Sequence, residues 1–115
     1  MNLQFIDAGQ FKTLLTLEEN RPIFDETGGY QEQWTEIATL WGRIEPKKTG
    51  SQNFAGQAIP HVTHLITTRY RSDIAISMRL TRAERHFTVL GLHDPDESQR
   101  YLICSVRAFP DYLET

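Results

Sequence analysis

The segment Glu32–Glu45, EQWTEIATLWGRIE, decides the fold, because apolar and polar residues alternate over most of its length. Its apolar face contains Trp34, Ala38, Leu40, Gly42 and Ile44, and its polar face contains Thr35, Thr39, Arg43 and Glu45. A period of two residues is typical of a half-buried strand, and aromatic and β-branched residues favour a strand over a helix. Ile37 and Trp41 are apolar residues on the polar face, which predicts a β-bulge or a second packed face.

The segments on either side repeat this pattern and predict about six strands. The predicted strands are Phe11–Glu18, Glu32–Glu45, His61–Arg71, Ile76–Leu80, Arg85–Leu92 and Arg100–Phe109. Short links join most of them: Asp25–Gly29 (DETGG) and His93–Ser98 (HDPDES) are both strong turn signals. Successive strands without intervening helices predict an all-β protein, a small antiparallel β-barrel or sandwich.

One connection, Pro46–Pro60 (PKKTGSQNFAGQAIP), is much longer than a hairpin link. It contains two lysines and no acidic residue. Loops of this length in a compact domain are usually functional or disordered. We expect Ser51–Ala58 to form one or two helical turns on contact with a partner. Lysines on an exposed loop also increase solubility, and the sequence leaves that interpretation open.

The chain has 115 residues, the length of one domain, and we treat residues 1–115 as a single unit. Its 39% hydrophobic and 23% charged residues are typical of a soluble globular protein. No apolar run approaches the roughly 18 residues of a membrane span, and the first residues do not resemble a signal peptide. These features predict a soluble protein that is made inside the cell.

The net charge of −3 is unevenly distributed. Residues 1–46 contain three basic and eight acidic residues, residues 47–93 seven and two, and residues 94–115 two and five. In one interpretation the folded surface interleaves these blocks, so that they largely cancel. In the other, copies of the molecule stack an acidic face on a basic one, or the basic middle faces a polyanion.

The sequence contains no residue set that predicts catalysis or metal binding. His61 and His64 are three apart in a predicted strand and therefore point to opposite faces, and we expect His64 to be structural. Cys104, the single cysteine, alternates with apolar neighbours, which predicts a buried and unreactive thiol. Asp94 and Asp96 lie in a solvated turn. We therefore predict that the protein is not an enzyme and uses no cofactor or metal.

Four residues are candidates for a subunit or partner interface. Trp34 and Trp41 are seven positions apart, so a strand places them on opposite faces, one in the core and one free to anchor a partner. Arg69 and Arg71 lie on the outward face of the third predicted strand.

Several segments, in order over most of the chain, match a known pattern. They are Asp7–Phe11 (DAGQF), Asp25–Tyr30 (DETGGY), Trp34–Pro46, Ser51–Ala58, Val62–Arg71, Met78–Arg79, Arg85–Leu92, Asp94–Asp96 and Leu102–Val106. The most specific are Leu40–Pro46 (LWGRIEP) and Thr63–Arg71 (THLITTRYR). On these segments the chain resembles the phage head–tail joining family, also called head closure, stopper or head–tail adaptor proteins, of long-tailed phages, prophages and gene transfer agents. It departs from the family at Thr81–Glu84 (TRAE), where a glycine-containing hairpin is common.

The resemblance implies a structural virion protein of the phage neck, made in the host cytoplasm and not associated with a membrane. It implies a homo-oligomeric ring of about twelve subunits, with portal and adaptor proteins above it and a tail terminator or tail tube below. The long loop lines or gates the channel and contacts packaged double-stranded DNA by charge, without reading bases. The loop residues that the resemblance places toward the channel are Lys47, Lys48, Ser51, Gln52, Asn53, Phe54 and Gln57.

The alternative hypothesis is a stand-alone β-barrel that binds nucleic acid or a small ligand. It predicts exposed aromatic residues beside basic ones on one strand face. Tyr70 lies between Arg69 and Arg71 but shares a face with Ile66, so we expect the Tyr70 side chain to point inward.

Overall fold

The structure is a computed structural model that describes residues 6–47 and 59–109. It has eight strands within these ranges: β1 Thr13–Asn20, β2 Ile23–Phe24, β3 Tyr30–Gln31, β4 Trp34–Pro46, β5 His64–Arg69, β6 Arg79–Arg82, β7 Arg85–His93 and β8 Tyr101–Phe109. A single turn of 3-10 helix, Ala8–Gln10, precedes β1. Within the described ranges, no helix is long and apolar enough to span a bilayer.

Six strands close into an antiparallel barrel in the order β1-β4-β5-β8-β7-β6. The two short strands β2 and β3 form a separate two-stranded ribbon. The prediction of an all-β antiparallel barrel with about six strands is confirmed. Closure also gives each barrel strand two hydrogen-bonded neighbours, which removes the exposed edges on which other chains add strands.

Apolar side chains that alternate along the strands fill the barrel interior. The predicted inner face of β8 is confirmed: Leu102, Cys104, Val106 and Ala108 are at most 5% exposed. Phe87 from β7 is the largest fully buried side chain and is 1% exposed. Burial of a side chain of this size stabilises the fold by about 1.5–3 kcal/mol.

The predicted bulge in β4 is confirmed at Ile37. Leu17 pairs with Ala38, whereas the next β1 residue, Glu18, pairs with Glu36, so Ile37 is an extra residue in β4. Farther along, Gly42 pairs with Thr13 of β1 and also with Thr68 of β5, so β4 passes from one neighbour to the other at this point. A Cβ on Gly42 would lie 3.1 Å from the Thr67 carbonyl oxygen, which explains why a glycine occupies the crossing.

Two strands begin three residues later than the sequence predicts, the largest differences among the strand starts. The strand predicted at His61–Arg71 begins at His64, because His61 has a φ of 71° and turns the chain. The strand predicted at Ile76–Leu80 begins at Arg79, because Ser77 has a φ of 83°. Of the apolar residues in this turn, Met78 is buried in the core and Ile76 is 60% exposed to solvent.

Part of the outer barrel surface is also buried. Ile103 on β8 is 1% exposed although it faces away from the interior. In the pairing of β7 with β8, Val89 lies opposite Val106 and Gly91 lies opposite the adjacent residue Ser105, so Leu90 is an extra residue in β7. The Ile59 Cδ1 atom lies 2.6 Å from the position that a Cβ on Gly91 would occupy, so Ile59 packs directly on this glycine.

Candidate functional site

A cleft of about 550 Å³ opens on the side of the barrel where β4 passes from β1 to β5. Its lining includes Phe11, Thr39, Trp41, Arg69, Tyr70 and Arg71. Three of the four predicted interface residues, Trp41, Arg69 and Arg71, therefore come together at one place. They lie on different segments, and strand pairing between β4 and β5 brings them together.

The cleft combines an exposed aromatic surface with positive charge. Trp41 is 55% exposed, and its β1 partner Leu14 is 48% exposed. Arg71 donates from Nε and Nη2 to the two carboxylate oxygens of Asp73, at 3.0 and 2.8 Å. This hydrogen-bonded pair raises the pKa of Arg71 and lowers the pKa of Asp73. Arg69 is exposed and makes no ion pair with any residue in the described ranges, so its charge is available to a partner.

The lining of the cleft includes Phe11, a residue that the sequence did not indicate as functional. The Phe11 amide donates to the Ala8 carbonyl at 3.1 Å, so the 3-10 turn fixes its backbone. Its ring lies edge-on to Tyr101, with centroids 5.9 Å apart. This contact joins the start of the chain to β8, and no local sequence pattern predicts a contact over that separation.

Trp34 lies elsewhere, at the start of β4. The guanidinium of Arg79 lies 4.0 Å from the centroid of the Trp34 ring. Arg79 Nε also donates to Glu18 Oε1 at 2.7 Å, in a pair whose side chains are about 20% exposed. Trp34 is half-buried, so neither tryptophan belongs to the fully buried core, and the expectation of one core tryptophan is wrong.

The long connection leaves and rejoins the barrel at a common anchor. The Lys47 amide donates to the Thr63 carbonyl at 2.9 Å, and the Thr63 amide donates to the Val106 carbonyl at 2.9 Å. Thr63 Oγ1 accepts a further hydrogen bond from the Ala108 amide at 2.8 Å. Lys47 is exposed. The other predicted channel residues, Lys48, Ser51, Gln52, Asn53, Phe54 and Gln57, and the helical turns expected at 51–58 lie outside the described residues.

His64 and Cys104, which the sequence predicts to be structural rather than reactive, both contact the barrel interior. His64 is half-buried, with Nδ1 2.8 Å from Thr63 Oγ1 and its ring edge-on to Phe87. Burial, and then the charge of Arg85, lower the pKa of His64. Burial raises the pKa of Cys104 to about 12, so the thiolate is scarce at neutral pH. Residues 6–47 and 59–109 contain no cluster of three or more His, Cys, Asp or Glu side chains able to hold a metal ion.

The β2–β3 hairpin presents a second exposed apolar surface. Ile23, Phe24 and Tyr30 are 56%, 73% and 60% exposed. Asp25 Oδ1 accepts hydrogen bonds from the amides of Thr27 and Gly29 at 2.9 and 2.8 Å, which orders the turn. The Thr27 hydroxyl and these amides lower the pKa of Asp25. The sequence predicted this turn, but it did not predict that the aromatic residues on either side of the turn would form an exposed surface.

Comparisons with known proteins agree with this architecture. The model of the family described as phage head completion protein matches residues 6–108. Protein SF1141 from Shigella flexneri 2a, solved in solution, has a TM-score of 0.70 and 22% identity, over 92% of this chain and 99% of that one. A chain from the virion of a native gene transfer agent particle has a TM-score of 0.59 and 25% identity, over 83% of this chain and 91% of that one. A search of curated proteins gave no match.

Proposed function

The chain belongs to the phage head completion protein family, and on that premise we propose that it forms a ring in the neck that closes the DNA-filled head and receives the tail. Family membership confirms the resemblance to head closure proteins. It also makes the chain a structural protein of the phage head, located in the particle. The assembly into a ring, the DNA channel and the identity of the neighbouring proteins are what we propose beyond family membership.

The observation that carries the proposal is the extent of the family match. Residues 6–108 include the hairpin, the long connection and all of the barrel except Phe109, the last residue of β8. The similar chain from a gene transfer agent virion supports a place in an assembled particle, since its fold resembles that of this chain over 83% of the residues.

Ring formation needs two different surfaces on each subunit, because a head-to-tail contact repeated around an axis closes a ring. The cleft and the β2–β3 hairpin are two such surfaces, each with large apolar side chains that are about half exposed or more. Exposed apolar patches of this kind mark interaction sites in soluble proteins. A ring of about twelve copies, with portal and adaptor proteins above and tail proteins below, is the assembly that we propose.

We place the long connection at the channel of the ring. The described residues on either side of it meet at Thr63, since the Lys47 amide donates to the Thr63 carbonyl at 2.9 Å. The sequence gives this connection two lysines and no acid. Lysines at this position attract DNA phosphates without reading bases, and such contacts weaken as salt rises.

Deletion of residues 51–58 tests the channel role. We expect the barrel to fold as in the wild type, because the anchor at Lys47 and Thr63 is retained, while assembled particles lose packaged DNA or fail to join tails. The double variant Lys47→Ala/Lys48→Ala should lose DNA retention in part, and Lys12→Ala/Arg107→Ala is the matched control with two exposed charges elsewhere. Particles that carry the deletion and yet retain DNA and join tails at the wild-type level would refute the channel role.

One observation favours the alternative of a free nucleic-acid-binding barrel. Trp41 is an exposed aromatic residue in the same cleft as Arg69, which has no ion-pair partner among the residues that the structure describes. An exposed aromatic residue beside a basic one is the arrangement that stacks on bases. Titration of the free chain with single-stranded oligonucleotides at moderate salt separates the two functions. The neck proposal expects weak binding that falls steeply with salt. Tight binding by a monomer, lost in Trp41→Ala, would favour the alternative.

A further inference from the structure

We infer that the β2–β3 hairpin of one subunit docks in the cleft between β4 and β5 of the next copy of this chain. This inference rests on the proposed ring and specifies its contact: the hairpin side chains Phe24 and Tyr30 against Trp41, with the acidic turn toward Arg69.

The hairpin is built as an exposed apolar projection. Residues 21–33 are all exposed, and Phe24 and Tyr30 lie with ring centroids 5.8 Å apart. On the receiving side, Trp41 and Leu14 are about half exposed next to a cleft of about 550 Å³. Aromatic anchors that enter a pocket supply most of the binding energy at protein interfaces.

The charges of the two surfaces are complementary. The turn of the hairpin carries Asp25 and Glu26, and the nearby Arg21 is paired with Glu19 at 2.9 Å, so it does not cancel them. In the cleft, Asp73 pairs with Arg71, whereas Arg69 has no ion-pair partner within the described residues. Opposite charges at the rim of an interface set its orientation and speed association.

The β2–β3 hairpin lies too far from the cleft of its own subunit to fill it. Trp34, at the base of the hairpin, lies seven residues before Trp41 on β4, which corresponds to about 23 Å at a strand rise of 3.3 Å. The ribbon continues away from Trp41, because the Arg21 amide donates to the Gln33 carbonyl at 2.8 Å and Ile23 pairs with Gln31. A hairpin that fills a cleft must therefore fill the cleft of another copy, which is a head-to-tail contact.

The turn of the hairpin is ordered before any contact is made. Asp25 accepts three hydrogen bonds within the turn, from the Thr27 amide, the Thr27 hydroxyl and the Gly29 amide, all at 2.8–2.9 Å. Gly28 takes the left-handed conformation with a φ of 88°. An element that is ordered in advance loses less conformational entropy on binding.

Segment 110–115, PDYLET, is the competing occupant, since it also contains acidic and aromatic residues. It follows Phe109, at the opposite end of β8 from Tyr101, about 26 Å away at the strand rise. A chain that ends at Phe109 separates the two occupants.

The test is complementation between two exposed-site variants, followed by sedimentation velocity at increasing concentration. Phe24→Ala/Tyr30→Ala removes the hairpin surface and keeps the cleft, and Trp41→Ala removes the cleft surface and keeps the hairpin. Each variant alone should associate at least about tenfold more weakly than the wild type. An equimolar mixture should form 1:1 dimers and nothing larger, because it holds one intact hairpin facing one intact cleft.

Controls and charge reversal complete the test. Ile76→Ala and Phe109→Ala remove equally exposed apolar residues and should associate as the wild type does. Glu26→Arg and Arg69→Glu should each weaken association, and the double variant should recover it. The chain that ends at Phe109 should associate normally.

The inference is overturned if both site variants associate like the wild type, if their mixture stays monomeric, or if removal of segment 110–115 alone abolishes association. It is also overturned if the wild type stays monomeric at every concentration. Neck imaging of particles separates these failures from failure of the proposed function: a ring joined through other surfaces refutes this contact and leaves the ring in place.

Discussion

Replacement of Thr63 by valine tests whether the anchor of the long connection is energetically important. Valine keeps the shape of threonine but removes the hydroxyl that accepts from the Ala108 amide and lies 2.8 Å from His64 Nδ1. Ala108 is 3% exposed, so water has little access to an amide that has lost this partner. A buried amide left without an acceptor costs about 1–3 kcal/mol. We therefore expect Thr63→Val to lower the free energy of unfolding by about 2 kcal/mol, with most of the loss at the Ala108 amide.

Urea unfolding, followed by tryptophan fluorescence, measures this loss. The midpoint should fall with the slope unchanged, and Tm should fall by roughly 8 °C for a domain of this size. Thr63→Ser retains the hydroxyl and should lose much less. Thr81→Val is the matched control, because Thr81 is half-buried on β6 and its hydroxyl has no hydrogen bond within the described residues. A Thr63→Val variant as stable as Thr81→Val would refute the anchor.

Three further predictions concern packing, turn geometry and pH. Gly91→Ala should cost only about 0.5–1.5 kcal/mol, because the atom that its Cβ would approach, Ile59 Cδ1 at 2.6 Å, is the end of a flexible side chain that can rotate away at the cost of a strained rotamer. Ile59→Ala should relieve that cost in a double-mutant cycle, and additive losses would contradict the contact. Ala83→Gly should stabilise the barrel by about 0.5–1 kcal/mol, measured by thermal unfolding, since Ala83 has a φ of 53°; a destabilised variant would contradict this. Burial lowers the pKa of His64 and His86 in the folded state, so the unfolded chain binds more protons. The contribution of these histidines to the free energy of unfolding should therefore fall as pH drops from about 7 through the unfolded histidine pKa of about 6.5, and it should level off below their folded pKa. His64→Gln should flatten this dependence on pH, and an equal slope in that variant would contradict the role of His64.

Much of the barrel was predictable because strand pairing depends on a period-two pattern. The alternation in residues 32–45 gave β4 and its bulge at Ile37, and the alternation from Leu102 to Ala108 gave the inner face of β8. The starts of β5 and β6 were not predictable. His61 and Ser77 adopt positive φ angles that non-glycine residues rarely take, and tertiary structure imposes them without any local signal.

The candidate site was predictable only in part. Trp41 was identifiable as an apolar residue on a polar strand face, and Arg69 and Arg71 as outward charges on the next strand. Their meeting in one cleft depends on the register of β4 against β5, which the sequence alone does not fix. Phe11 joins the cleft through a contact with Tyr101, ninety residues later in the chain.

The proposed ring and the inferred hairpin contact would connect local structure to function. The turn at Asp25–Gly29 is a local feature that the sequence specifies, and it orders a hairpin whose apolar side chains have no place in the barrel. The cleft arises from the crossing of β4, where Gly42 pairs with both neighbours. A barrel with both features on separate parts of its surface is suited to repeat around a channel.

Electron cryomicroscopy of the neck of assembled particles tests the central claim most directly. We expect a ring of these barrels between the portal region and the tail, with residues 46–60 toward the central DNA and each β2–β3 hairpin in the neighbour's cleft. Particles whose neck lacks this chain, or in which residues 46–60 face outward from the channel, would contradict it.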